Sequence, residues 1–379
     1  MQRDKAIDAV RGLAILLVMI GHCIVLNGLH STDPYVYDAI KSVQMPLFMT
    51  VSGVLAGMSL SRGERVNRKT IRKRAVAYLV PFFSWFVLVF LVTHIADGTI
   101  GFSLFFRELY ELLRQTDKGL WFLTTLFVIM LAVSAAQNLA DLIWQKSNRA
   151  DRAAAWIRVL LFLFFTGCLY VVFFVQGRSS FQLLSPSLTL QYMPYYVIGY
   201  LIYGYGGEVT GSLPAQTRKC CDILLWLLWG ICATGFLFLV IRFDLTKAPA
   251  SPGELMLQMA ASMLGTYVCY FGMYRLAQKH EMPFLSFVGM YTLEIYVLHF
   301  RFARLIPLRG KEIAFYSLEG IGYLACVFAV MSVCTALCIL FIQKSGVLTF
   351  LLFGKRKAPR RPSKQKIRQS HTSSDKSIG

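Results

Sequence analysis

The sequence predicts an all-α, polytopic membrane protein of about ten transmembrane helices, with both termini in the cytoplasm. Three observations carry this. The 379 residues are 56% hydrophobic and only 16% charged, more apolar side chain than a soluble domain of this length can bury. The apolar residues gather in runs of about 20, each long enough to cross about 30 Å of hydrocarbon. These runs are solidly apolar, without the period-two alternation of a membrane barrel. Finally, Lys and Arg crowd the segments between alternate runs, as the positive-inside rule demands.

Each element follows from these signals. Span 1, about 10–29, has no small-residue cleavage site behind it and is too long for a signal-peptide core, so it reads as an uncleaved helix. Span 2, about 43–60, leads into the basic segment Arg62 to Arg74, and span 3, about 76–96, leaves it. The longest external loop, 97–118, contains Leu104-Phe105-Phe106-Arg107-Glu108-Leu109-Tyr110-Glu111-Leu112-Leu113, whose spacing suits a short amphipathic helix at the outer surface. Span 4 (119–140) and span 5 (157–176) flank a second basic segment, Lys146 to Arg158. Spans 6 to 10 fall at about 188–206, 222–242, 254–277, 285–304 and 317–342. With the loops 61–75, 141–156, 207–221 and 278–284 inside, most of the 39 Lys and Arg are cytoplasmic. The domain division is a transmembrane domain over 1–345 and a basic, disordered cytoplasmic tail over 346–379, rich in Pro, Ser, Lys and Arg from Lys355 on.

The net charge of +19 would suggest nucleic acid in a soluble protein. Here the basic residues sit in inside loops without interleaved aromatics, so nucleic acid is excluded and anionic inner-leaflet lipid is the expected partner. The nine cysteines lie in or beside apolar runs and read as small, reduced core residues. No CxxC or HExxH spacing occurs, so no metal is expected. Oligomeric state is not encoded in any pattern of the sequence.

Ionisable groups inside apolar helices are costly unless they face a wet interior. Span 1 carries Arg11 and His22, and eleven residues at 3.6 per turn return to within about 20° of the same face, about 16 Å along the axis. His22 suits a general base near neutral pH. Arg11 suits bidentate contact with an anion, and Asp8, three residues earlier, suits fixing its guanidinium. Each has a plainer reading: Arg11 snorkelling to headgroups, His22 packing, Asp8 capping the helix. Glu294, mid-helix in span 9, is expected to face a cavity or pair with Arg301 on the same face. Tyr296 and His299 lie near the outer end of that helix, and Trp121 opens span 4. All three fit acceptor contacts or an aromatic belt. Ser52, beside Gly53, reads as a close-packing residue.

Five local patterns recur in one order: Asp8-x-x-Arg11-Gly12-x-Ala14 with His22 after ten intervening residues; Met45-Pro46-Leu47-Phe48-Met49-Thr50-Val51-Ser52-Gly53; Arg72-Lys73-Arg74 leading to Leu79-Val80-Pro81-Phe82; Leu120-Trp121-Phe122-Leu123; and Gly289-Met290-Tyr291-Thr292-Leu293-Glu294-Ile295-Tyr296-Val297-Leu298-His299. Tyr195-Tyr196-Val197-Ile198-Gly199-Tyr200 adds to them. Together they resemble the acyltransferase 3 family of integral membrane O-acyltransferases, and within it the fucose 4-O-acetylase-like subgroup. Gln44 stands where that subgroup suggests His, and Thr292 where it suggests Ser.

The resemblance implies an O-acetyltransferase of the bacterial inner membrane, drawing on cytoplasmic acetyl-CoA and acylating a hydroxyl of an envelope polysaccharide or its lipid-linked precursor. A succinyl or longer acyl group is the near neighbour. The implied roles are catalysis by His22, Arg11 and Asp8, donor binding by Arg11, Arg72, Lys73 and Arg74, and acceptor binding by Glu294, Tyr296, His299 and Trp121. The alternative from another class is a secondary transporter or flippase for a glycan intermediate. Against it, the two halves carry no matching Gly/Pro-broken spans.

Overall fold

Asp4 starts the first helix. Its carboxylate accepts hydrogen bonds from the backbone N–H of Ala6 and Ile7, at 2.9 and 3.3 Å, and so satisfies the open donors of a helix start. The cap is therefore Asp4 and not Asp8, and α1 runs Lys5–Leu26, earlier than the 10–29 expected. The computed structural model describes residues 4–31, 34–116, 119–144, 152–179, 182–206, 215–307 and 313–356. After α1 come α2 (Pro34–Ser61), α3 (Arg68–Ala96), α4 (Phe102–Arg114), α5 (Trp121–Trp144), α6 (Arg152–Arg178) and α7 (Pro186–Gly204). Then follow α8 (Ala215–Arg242), α9 (Pro252–Lys279), α10 (Pro283–Met290), α11 (Thr292–Leu298), α12 (Leu318–Lys344) and α13 (Gly346–Phe353). The protein is all-α among the described residues, and it is a multi-pass membrane protein.

Eight of these helices, α1, α2, α3, α5, α6, α8, α9 and α12, are long and apolar enough to cross a membrane. The pair α10 and α11, with the 3₁₀ turn His299–Arg301, is bent by 65°, the geometry of a broken span or a re-entrant loop, and taken as one span it makes nine. Helix α7 occupies the place of the sixth expected span, 188–206, but its tyrosines (192, 195, 196, 200 and 203) and Pro194 make it too polar to qualify by hydropathy alone. The amphipathic helix expected in the 97–118 loop is α4, tied to the end of α3 by His94 Nε2 and Glu108 Oε1 at 3.0 Å.

Small residues set the packing. A Cβ on Gly53 would lie 1.9 Å from the Tyr196 carbonyl oxygen, and one on Gly199 would lie 2.2 Å from that of Thr50. Helices α2 and α7 thus meet backbone to backbone, the device that replaces hydrophobic driving force inside a bilayer. The same holds between α1 and α10, where Cβ atoms on Gly12 and Gly289 would strike the carbonyls of Leu285 and Asp8 at 2.1 and 1.9 Å. Helices α1, α2 and α5 form the interior, whereas α6 and α8 present long apolar faces outward.

Two expectations need correction. The continuous span 285–304 is broken at Tyr291, between α10 and α11. No proline marks the break; α10 is pinned to α1 by Gly289, and the chain turns beyond it so that Thr292 reaches Arg11. The tail does not begin at 346 as a disordered segment. Residues Gly346–Phe353 form α13, packed on α3, and Gly354 (φ +63°) lies so close to Val76 and Ala77 that a Cβ would meet their backbone at 2.7 Å. Segment 145–151 and the tail from residue 357, with their basic residues, lie outside the described residues, as does segment 207–214.

Candidate active site

Helix α1 carries Arg11 and His22 into two different cavities. The first, of about 270 Å³, is lined by Arg11, by Ser52 and Ser59 of α2, by Thr70, Arg74 and Tyr78 of α3, by Phe122 to Asn138 of α5, and by Thr292 and Tyr296 of α11. The second, of about 630 Å³, holds His22 with Tyr37, Lys41 and Gln44 of α2, Trp85 and Val89 of α3, Trp121 of α5, Tyr192 of α7, and Tyr296, His299 and Arg301. Helices α1 and α3 run from the first cavity to the second, and α2 and α5 run back. The two cavities therefore lie at opposite ends of one helical bundle.

In the first cavity Arg11 is gripped from two elements. Its Nη1 lies 3.4 Å from Asp8 Oδ1, one turn earlier on α1. Its Nη2 donates to Thr292 Oγ1 at 2.7 Å, just beyond the break. Thr292 keeps the hydroxyl that serine would supply. At the mouth of the cavity Arg74 Nη1 donates to Tyr78 Oη at 3.1 Å, while Arg72 and Lys73 are exposed and line neither cavity.

The sequence reading missed Arg65, which lines this mouth and lies 3.6 Å from Asp141. Asp141 is buried and also receives Arg158 Nε at 3.0 Å and Gln137 Nε2 at 3.1 Å. Gln137 Oε1 in turn accepts from Tyr200 and Tyr205 at 3.0 and 2.7 Å. Gln137 and Asp141 stand one helical turn apart, the only signal of this network in the sequence, and assigning Asp141 to a loop obscured it.

In the second cavity the ring centroids of His22 and His299 are 5.2 Å apart, tilted by 39°, and Phe300 meets His22 edge-on at 5.2 Å. His299 is buried, and its Nδ1 lies 2.8 Å from the Ile295 carbonyl. That contact requires the proton on Nδ1 and leaves Nε2 as an acceptor. Nε2 has no hydrogen-bond partner among the described residues, nor has Gln44 Oε1. Trp121 stacks on Tyr192 at 5.2 Å and 26°.

The structure thus places Arg11, backed by Asp8, and Arg74 at one cavity, and His22, His299 and Trp121 at the other, with Tyr296 lining both. Glu294 lines neither. Its carboxylate, 1% exposed, bonds the Lys355 ammonium beyond α13. The pair expected with Arg301 does not form, and Arg301 instead lies over the Trp85 ring at 6.0 Å. The reason is rotation: Thr292 and Tyr296 share one face of α11, and Glu294, two residues from each, is turned away.

Comparison with known proteins identifies the family of the chain. Residues 4–343 match a family described as an acyltransferase domain. Over 117 residues the chain is 35% identical to the Nodulation protein NolL of Sinorhizobium fredii, covering 28% of this chain and 31% of that protein. Over 92 residues it is 33% identical to the NolL protein of Mesorhizobium japonicum, covering 23% of this chain and 24% of that protein. The chain aligns with about a third or less of the length of these relatives. No solved structure matches it.

Proposed function

The chain belongs to the acyltransferase family and is a multi-pass membrane protein, and on that premise we propose that it transfers an acetyl group from coenzyme A to a hydroxyl of an envelope glycan or its lipid-linked precursor. The donor arrives from the cytoplasm and the acceptor occupies the opposite face of a bacterial inner membrane. The observation that carries this reading is that one helix presents Arg11 to one cavity and His22 to another at the far end of the bundle. A cavity of about 270 Å³ takes a pantetheine arm and leaves the nucleotide phosphates at its mouth, beside Arg65 and Arg74. Arg11, held in place by Asp8 and Thr292, polarises the donor within.

On the other side, the larger cavity suits a sugar. The Trp121–Tyr192 stack offers an aromatic surface to a pyranose ring, and the acceptor atoms His299 Nε2 and Gln44 Oε1 suit sugar hydroxyls. In the reaction the neutral His22 imidazole takes the proton of the acceptor hydroxyl as its oxygen bonds to the acyl carbon. The carbon–sulfur bond then breaks, and the proton is passed to the leaving sulfur, giving an ester and coenzyme A thiol. The basic loops lie on anionic lipid of the inner leaflet.

Inside-out vesicles of native membrane, supplied with radiolabelled acetyl-CoA, test the proposal. Covalent label is expected in a glycan or lipid-linked fraction, and His22→Ala is expected to lower its rate by about 10²-fold or more while the protein stays inserted. Wild-type labelling by a well-inserted His22→Ala protein would refute the assignment of the base. Glycan that accumulates unmodified on one side, with no label attached, would indicate a transporter instead.

A further inference from the structure

Tyr296 is the single residue of α11 that lines both cavities. Its ring centroid lies 5.4 Å from that of Phe122, which in turn lies 5.6 Å from Phe48. Three rings from α11, α5 and α2 thus stand side by side. The Tyr296 hydroxyl receives the Phe122 backbone N–H at 3.4 Å, which ties α11 to the start of α5. Thr292 and Tyr296 on α11 and His299, which opens the 3₁₀ turn after it, fall at i, i+4 and i+7, on one side of this segment. That face meets Arg11 at its first rung and His22 at its last, with the Tyr296 ring between them.

We propose that Tyr296, backed by Phe122, is the partition between donor and acceptor cavities and sets the length of the acyl group transferred. The proposal rests on the acyltransferase reading above. The sulfur of the donor stays on the Arg11 side and the acceptor oxygen on the His22 side, so the acyl carbon must lie where the cavities meet. There the carbon–oxygen bond forms, the carbon–sulfur bond breaks, and the hydroxyl proton leaves with the thiol. The rest of the acyl chain can point only sideways, against the Tyr296 and Phe122 rings. An acetyl group sets only a methyl against them. Each further methylene meets an aromatic face held by packing in the row of rings Tyr296, Phe122 and Phe48, and cannot give way without opening the wall.

The test uses detergent-permeabilised native membranes carrying the full-length protein, so that either face is open to donor. Radiolabelled acetyl-, butyryl- and hexanoyl-CoA are supplied separately and label in the glycan and lipid-linked fractions is counted. Tyr296→Ala is expected to raise the butyryl-to-acetyl ratio by about tenfold or more, the scale at which pockets discriminate a methylene or two. Phe122→Ala is expected to move the ratio the same way from the other helix. Tyr296→Phe keeps the ring and is expected to keep the wild-type ratio.

An unchanged ratio in Tyr296→Ala, or a Tyr296→Phe shift as large as that of Tyr296→Ala, would overturn the partition. Should Tyr296→Ala fail to accumulate in the membrane, Tyr296→Leu and Phe122→Leu decide by the same ratio. Wild-type membranes that label no acceptor from any of the three donors would remove the acyltransferase reading and the partition with it. Wild-type labelling with unmoved ratios would remove the partition alone.

Discussion

Arg11 depends on a hydroxyl 281 positions away in sequence, and that dependence can be measured. Thr292→Ser keeps the oxygen and is expected to keep transfer near the wild-type rate. Thr292→Val leaves Nη2 without this acceptor, and a hydrogen bond to a charged group is worth roughly 1.5–3 kcal/mol, so a loss of about 10- to 100-fold is expected. Initial rates over a range of acetyl-CoA concentrations check this, with the loss expected in the KM for the donor. Equal losses in the two variants would show that side-chain volume, not the hydroxyl, matters at 292. At this scale the sequence reveals Arg11 and His22 because eleven residues on a helix restore the same face. Of the expected basic run, Arg74 lines the Arg11 cavity while Arg72 and Lys73 line neither, because steps of 100° turn those two outward. Arg65 sits in the turn before α3, where no helical period forecasts the direction of a side chain.

Between elements, glycine decides which helices can touch. Gly289→Ala would set a Cβ against the Asp8 carbonyl, whereas on Gly322 of α12 a Cβ meets nothing within 4 Å. Overpacking of this kind costs about 1–3 kcal/mol, and it would displace α10 and with it Thr292. Thermal unfolding in detergent is therefore expected to show Gly289→Ala melting several degrees below wild type and Gly322→Ala unchanged. Equal melting of the two variants would mean that α10 adjusts freely against α1. The helices themselves were readable from apolar length, and α4 from its amphipathic spacing. The break at Tyr291 was not, since helices α2, α3 and α7 each carry a proline inside and continue, while the span that breaks has none at the break. What bends it is contact with α1, a tertiary cause that leaves no local signature.

At the scale of the whole molecule, the first and last described residues lie at one end of the bundle. Asp8 packs on Gly289 beside the Arg11 cavity, and Gly354 packs on Val76 and Ala77, next to Arg74 and Tyr78 of the same cavity. Reporter fusions after Lys355 and within 97–118 are therefore expected to report opposite compartments, with the position after Lys355 cytoplasmic. An external signal after Lys355 would reverse the donor and acceptor sides. The charge pattern alone was enough to propose the orientation, because insertion responds to Lys and Arg near helix ends. The division into two cavities was beyond sequence reach, since it arises from four antiparallel helices arranged around one tyrosine.

The pairing of Glu294 with Lys355 bears on how the protein is made. Lys355 leaves the ribosome 61 residues after Glu294, and until then the carboxylate of a span already inserted has no such partner. An uncompensated buried charge destabilises its surroundings by about 3–5 kcal/mol, enough to keep α11 loosely seated while synthesis continues. Thr292 and Tyr296 lie on the same short helix, so the Arg11 grip and the aromatic wall would settle only once α13 has docked and delivered its lysine. A chain that stalls before that point holds a buried carboxylate without the lysine that answers it in the finished protein.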